Sequence, residues 1–329
     1  MGLHTPIEPQ RPAHPFGADI LDLRHFSSQH LRPLLEHESQ MWERKMAWDY
    51  RASAEMILRY IDSKILPGYA AVYDQRIGGY AFFVYEGSKG VIGDLFVAPH
   101  REDARALELR LVEHVLETLQ QSPGVHRVEA QLLAHHTGEL AEPFLASGFQ
   151  RHRRLFLCLE LASASPSHSE VPADIHIRRW VDADFQPAAG IITASYRAHI
   201  DSEINDQYRT SAGSLRFLNN IVRFPGCGVF DPEASFVAVH RPSNSLIGLI
   251  LCSRVRDDAG HITQVCLVPE YRGEGIGEAL LARSFDTLRG RKLKLLTLTV
   301  TEANHRAVEL YRKLGFETMR VFDAFVWEG

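Results

Sequence analysis

Cysteine is scarce in this chain: four in 329 residues, at Cys158, Cys227, Cys252 and Cys266. None stands in a Cys-x-x-Cys pair, which excludes a zinc ribbon or a dithiol redox motif. Cys252 and Cys266 fall in apolar runs and read as buried free thiols. No apolar run approaches the ~20 residues that cross a bilayer. The first stretch, with Pro6, Pro9, Pro12 and Pro15, lacks the apolar core of a secretory signal. A large charge of one sign is missing too. The formal net charge is −5, which gives no global pull towards nucleic acid or an anionic membrane. Seventeen histidines are scattered, with no pair at metal-binding helical spacing beside a carboxylate. The expectations are a protein of a reducing, cytoplasmic compartment with no metal and no nucleic-acid or membrane partner. Nothing in the sequence sets an oligomeric state.

What is present is apolar content of 45%, enough for real cores, and length for two ordinary domains. Residues 1–17 read as a loose tail. Helical spacing follows from Ser28 to Lys45 and from Ala52 to Lys64. Strand runs follow near Tyr69–Tyr73, Gly79–Tyr85 and Val91–Val97, then a helix over Ala104–Leu119 and a strand from Arg127. Leu155 to Leu161 closes this unit. Residues 162–173 are small, polar and proline-bearing, the composition of a linker. The order of elements then repeats to the end of the chain, which suggests one architecture used twice.

The most distinctive stretch is Gln264-Val265-Cys266-Leu267-Val268-Pro269-Glu270-Tyr271-Arg272-Gly273-Glu274-Gly275-Ile276-Gly277-Glu278. An apolar strand runs into a glycine turn that opens a helix. Unpaired N–H groups and the helix dipole at such a turn make a phosphate cradle. A P-loop needs Lys-Ser/Thr after its last glycine, and Gly277 is followed by Glu278 and Ala279. A dinucleotide fingerprint needs a further glycine or alanine where Glu278 stands. Arg-x-x-Gly-x-Gly remains. Downstream, a β-rich run over Leu295–Val300 precedes Asn304-His305-Arg306-Ala307-Val308-Glu309-Leu310-Tyr311-Arg312-Lys313-Leu314-Gly315-Phe316. There Asn304 reads as a helix cap and Gly315 as a stop. In this order, the two segments resemble the hallmarks of the GNAT superfamily of N-acetyltransferases over roughly residues 174–329.

The resemblance implies an α/β fold of two tandem GNAT-like domains, residues 18–161 and 174–329, each a mixed twisted sheet flanked by helices. It implies acetyl or short-acyl transfer from acetyl-CoA to a primary amine of a small molecule, by direct attack in a ternary complex. Arg272, Gly273, Glu274, Gly275, Ile276 and Gly277 would hold the diphosphate through their backbone. Cys266, Leu267 and Val268 would line the pantetheine arm. The Arg272 side chain could add a contact or simply be exposed. Tyr311 would be the general acid for the departing thiolate, or a packed core tyrosine. Asn304 would touch pantetheine or serve only as the cap. The general base is open: His261 and Glu270 are candidates, and both suit ordinary surface positions. The segment from Asp201 to Asp206 falls where the acceptor side is expected, and its carboxylates suit a cationic amine or plain solvation.

The first unit echoes the second but departs where chemistry is needed. Gly93-Asp94-Leu95-Phe96-Val97-Ala98-Pro99-His100-Arg101 matches the strand and turn, yet Glu102 and Asp103 follow with no glycine. Phe144 stands for Tyr311. This half is expected to lack a cofactor site and to shape the substrate cleft. Two rivals remain open: a non-catalytic acyl-CoA-binding module, and a peptide or protein N-acetyltransferase.

Overall fold

A computed structural model describes residues 17–74, 76–99, 102–164, 170–223 and 226–329. Most of the expected tail, the middle of the expected linker, and His100 and Arg101 lie outside the described residues. The first half runs β1 (Asp19–Asp22), α1 (Ser28–Met46), α2 (Arg51–Asp62), β2 (Gly68–Tyr73), β3 (Arg76–Glu86), β4 (Lys89–Val97), α3 (Ala104–Gln121), β5 (Arg127–Gln131), α4 (Ala141–Ala146) and β6 (Gln150–Glu160). The second half runs β7 (Ile175–Arg179), α5 (Phe185–Ser195), α6 (Ile200–Ile204), α7 (Ser211–Arg223), β8 (Val229–Phe230), β9 (Phe236–His240), β10 (Ser245–Arg256) and β11 (Ala259–Leu267). It ends with α8 (Ile276–Gly290), β12 (Leu295–Thr301), α9 (His305–Lys313) and β13 (Glu317–Glu328).

Local chemistry accounts for the boundaries that matter. Asn304 accepts the Ala307 N–H at 3.3 Å and starts α9. Gly315, at φ 96°, lets the chain leave that helix in a conformation costly for a Cβ. In α9 the buried residues Val308 and Tyr311 are three apart, so one face packs and the rest stays in water. Among the described residues, no helix is long and apolar enough to cross a membrane.

The strands form one mixed sheet in the order β1-β2-β3-β4-β5-β13-β6-β12-β11-β10-β9-β7, with β8 against β10. The last strand of each half has crossed over. β6 pairs antiparallel with β12, from Leu295↔Glu160 to Thr301↔Arg154. β13 lies between β6 and β5, pairing Phe325 with Ala130. The cores follow the exchange. Leu155, Leu157 and Leu159 of β6 pack with Leu281 and Tyr311, while Phe325 of β13 packs with Leu111 and Phe144. Each unit therefore completes its sheet and its core with the other's final strand, and neither has a closed core without it.

Candidate functional site

β11 and β12 run in parallel register from Ala259↔Leu295 to Ile262↔Leu298, then separate. The β10–β11 register shifts at the same level, from Cys252↔Ile262 to Leu251↔Gln264, which leaves Thr263 as the extra residue of a bulge on β11. Beyond Ile262 the side of β11 that faced β12 borders an opening. At its mouth the chain passes through Pro269–Tyr271 and then Gly273 (φ 93°) and Gly275 (φ 79°), left-handed positions that suit glycine. α8 begins at Ile276. The N–H groups of Gly273, Glu274, Gly275, Ile276 and Gly277 have no hydrogen-bond partner among the described residues. There is room in front of them: a Cβ on Gly273 or Gly277 would meet its nearest neighbour only at 3.5 Å. That neighbour at Gly273 is the Arg306 guanidinium from α9, a cation beside the turn that the sequence did not single out. Bare donors, a helix start and a nearby arginine fit a diphosphate.

The Arg272 side chain is used differently from the expected anion contact. Its Nε donates to the Leu267 carbonyl at 3.2 Å and its Nη2 to the Ser195 carbonyl at 2.6 Å. It ties the end of α5 to the end of β11 and leaves its backbone at the turn. Cys266 is buried on β11, and burial pushes its thiol up to about 11, a protonated and unreactive sulfur. Leu267 and Val268 are half-buried, and Val268 donates its N–H to the Ile247 carbonyl, on the β10 side of the strand.

Tyr311 enters from α9. It is buried, packs edge-on against Phe316, and its hydroxyl has no hydrogen-bond partner among the described residues. Burial, with the Asp201 carboxylate and Cys266 nearby, raises the phenol above its usual pKa, so it carries its proton at neutral pH. Asp201, on the short α6, accepts from Thr301 Oγ1 of β12, and its Oδ2 lies 3.6 Å from His199 Nδ1. His199 Nδ1 accepts the Asp201 N–H at 3.1 Å, and Nε2 stands 3.3 Å from Asn304 Nδ2. Burial lowers the His199 pKa and keeps it neutral. Tyr196 and Tyr208 stack at 4.3 Å beside this group, and Gln264 of β11 donates to Tyr196 Oη at 2.8 Å. The structure thus gathers Tyr311, Asn304 and Asp201 with His199, Thr301, Tyr196 and Tyr208, none of which the hallmark segments contain.

The two candidate bases are placed elsewhere. His261 lies in the closed part of the β11–β12 ladder, opposite Thr297, whose hydroxyl is 2.9 Å from Nδ1. Trp48 and Phe156 cover the ring, and burial lowers its pKa to about 3. Glu270 is exposed in the Pro269–Tyr271 turn with no side-chain partner among the described residues.

The first half has a matching opening in a different state. β4 and β5 pair from Lys89↔Arg127 to Ile92↔Ala130 and then separate. His135 Nε2 donates across the gap to the Leu95 carbonyl at 3.0 Å. A cavity of about 220 Å³ remains beside it, lined by Trp42, Tyr50, Phe82 and Asp94. Tyr50 donates to Asp94 at 2.5 Å and Tyr80 to Glu38 at 2.7 Å, and burial holds the Glu38 carboxyl well above the usual range, as a neutral acid. Asp103 stands where α3 begins and accepts from Tyr73 at 2.6 Å. Phe144 is sealed between Phe325, stacked at 4.1 Å, and Phe149. A larger groove of about 520 Å³ between α1 and α2 contains no residue of either opening.

Comparison with known proteins agrees with this geometry. The profile of the Acetyltransferase (GNAT) family matches residues 199–316, which hold the turn, Asp201 and Tyr311. The mycothiol acetyltransferase of Thermobispora bispora is 30% identical over 255 residues, 74% of this chain and 78% of that protein. The chain belongs to the GNAT acetyltransferase family, in its tandem, mycothiol synthase-like form. The mycothiol acetyltransferase of Thermobifida fusca is 40% identical over 97 residues, 27% of this chain. That of Renibacterium salmoninarum is 27% identical over 209 residues, 61% of this chain. The aligned stretches span only 30% and 58% of those two proteins. Among solved structures, a GCN5-related N-acetyltransferase from Sphaerobacter thermophilus superposes with TM-score 0.64 at 18% identity, covering 95% of this chain and 96% of that one. A tandem GNAT protein of the clavulanic acid pathway gives 0.59 at 17% identity, covering 94% and 98%. These two likenesses support the tandem fold.

Proposed function

We propose that the second half transfers an acetyl or short acyl group from acyl-CoA to the primary amine of a small molecule. The observation that carries this is the row of unpartnered N–H groups from Gly273 to Gly277, at the mouth of an opening that Tyr311 borders. The backbone of the turn, with Arg306, holds the diphosphate. The β11 backbone beyond Ile262 receives the pantetheine arm and offers the thioester oxygen an N–H, a donor typically worth about 3 kcal/mol. The neutral amine attacks the carbonyl carbon, a C–N bond forms and the C–S bond breaks. The Tyr311 phenol gives its proton to the departing sulfur. Burial holds the phenol above its usual range, so it keeps this proton until a thiolate develops beside it and takes it. The acceptor, drawn in as an ammonium ion by the Asp201 carboxylate, releases one proton to water before it attacks, and the second nitrogen proton, lost as the amide forms, restores the Tyr311 phenol through solvent.

A small-molecule acceptor is supported by the mycothiol acetyltransferases among the relatives that match both halves. The ribosomal-protein alanine N-acetyltransferases among them align with 26% or less of this chain. The test is release of free thiol from acetyl-CoA by the full chain, with a panel of amino sugars, amino acids and diamines beside a short N-terminal peptide. Turnover with a small amine is expected. Binding of acetyl-CoA without turnover on any acceptor would favour the non-catalytic module, and turnover on the peptide alone the protein N-acetyltransferase.

A further inference from the structure

We propose that the half without a glycine turn acts on the reaction through Lys89, a positioning residue that holds the acceptor-side segment, and with it Asp201, against the second opening. Lys89 is a buried lysine on β4. Its Nζ lies 2.5 Å from Asp206 Oδ1, 3.0 Å from Glu129 Oε2 and 3.4 Å from Glu86 Oε2. Asp206 belongs to the second half and follows α6. Further ties run from the first half or the C-terminal strand to residues 203–209. Glu129 Oε1 accepts the Asp206 N–H at 3.0 Å. Arg127, itself bonded to Glu129 at 2.6 Å, donates to the Glu203 carbonyl. Gln207 donates to Glu86 at 2.9 Å. Arg209 reaches back to the Ser202 carbonyl at 2.8 Å and to Glu328 at 3.1 Å.

The short, largely polar segment Ile200–Arg209 has two main apolar anchors, Ile204 and the stacked Tyr208, and its carboxylate-rich middle lies outside them. The charge cluster supplies the missing constraint. Lys89 is its hub because its ammonium holds the Asp206 carboxylate of the acceptor-side segment together with Glu86 and Glu129 of the first half. Taking it away leaves Glu86, Glu129 and Asp206 facing one another without their ammonium, and the movable partner is the Asp206 segment. The cofactor turn has no bond to the cluster among the described residues, and the segment meets β11 only through the long Tyr208 Oη to Gln264 Oε1 side-chain bond of 3.4 Å among them, so the effect is expected on the amine side. The proposal rests on Asp201 facing the acceptor, as argued above, but its test needs no acceptor.

The experiment compares the full chain with Lys89→Met, Lys89→Arg and Asp206→Asn. Amide hydrogen exchange is read over residues 200–209 and over the turn, and acetyl-CoA affinity is measured by calorimetry. Asp206→Asn leaves the Lys89–Glu129 pair in place, so it stays informative if Lys89→Met does not fold. In Lys89→Met and Asp206→Asn, exchange over 200–209 is expected to quicken by about tenfold or more. The turn and β11 should keep wild-type exchange, acetyl-CoA affinity should stay within about twofold, and Lys89→Arg should restore most of the protection. Unchanged exchange at 200–209 in Asp206→Asn overturns the proposal, as does a uniform rise across the molecule or an equal loss of acetyl-CoA affinity. If acetyl-CoA binds no variant and not the wild type either, it is the proposed function that fails, and the exchange result still decides the role of Lys89.

Discussion

The molecule carries two openings of the same design, and the side chains around them have diverged. In both, parallel strands separate after a short stretch of pairing, at Ile262 and at Ile92. At the second, glycines at positive φ leave N–H groups, and a nearby tyrosine hydroxyl, without partners among the described residues. At the first, His135 spans the gap, a carboxylate stands at the helix start, and a phenylalanine is clamped between two other rings. The strand geometry thus provides a place, and the few residues at its mouth decide whether the place is a site. Both helix starts carry bare N–H groups; room in front of them and a phenol with no partner among the described residues mark the second opening, whereas bonded side chains mark the first.

That contrast can be broken from either side. The largest effect is expected from Gly275→Glu, which puts a carboxylate and a Cβ at the proposed diphosphate position. Acetyl-CoA binding should weaken by about a hundredfold or more, on the order of 3 kcal/mol, with circular dichroism unchanged. Affinity equal to wild type in calorimetry would remove the phosphate assignment. Next, Tyr311→Phe makes the second opening resemble the first at this position. It should lower kcat by about a hundredfold while acetyl-CoA affinity is kept, and turnover near wild type would show that the phenol is only core.

Below the second opening, His261 should make stability acid-sensitive. An unfolded imidazole takes a proton near pH ~6.5, whereas the buried one does so only near 3. The stability present above the unfolded value is therefore lost as pH falls from ~6.5 towards 3. Between pH 6.5 and 5 the wild type should lose about 2 kcal/mol that His261→Phe retains, as read from urea midpoints. Equal acid sensitivity in the two proteins would contradict the buried, neutral assignment. The smallest effect belongs to the first half. His135→Ala removes the plug and should cost about 1 kcal/mol of stability without creating a second acetyl-CoA site. A binding stoichiometry rising towards two per chain would mean that the plug alone had silenced that opening.

Much of the second opening was legible in advance because its determinants are consecutive residues. The glycine turn, the Asn304 cap and Tyr311 each sit in a short segment whose chemistry is local. The repeat of elements was legible for the same reason, strand and helix periodicity being properties of neighbours. What escaped depends on residues far apart in the chain. His261 at a strand start looked like an available base; the rings of Trp48 and Phe156, from the first half, bury it. The Arg272 side chain stood open between an anion contact and plain exposure, and carbonyls at the ends of β11 and α5 take its guanidinium instead. The segment carrying Asp201 stayed open between an acceptor-side and a solvated reading, because its five-residue helix is too short for a periodic signal. The exchange of β6 and β13 left no trace in composition, since a strand's alternation does not name its neighbour.

The measurement that bears most directly on this account is a crystal structure of the full chain with acetyl-CoA. It should show one molecule per chain, its diphosphate within hydrogen-bonding distance of the N–H groups of Gly273 to Gly277, its acyl end between β11 and Tyr311, and His135 still bonded to Leu95 in the other half. A nucleotide seated at the first opening instead, or side chains filling the second, would contradict it.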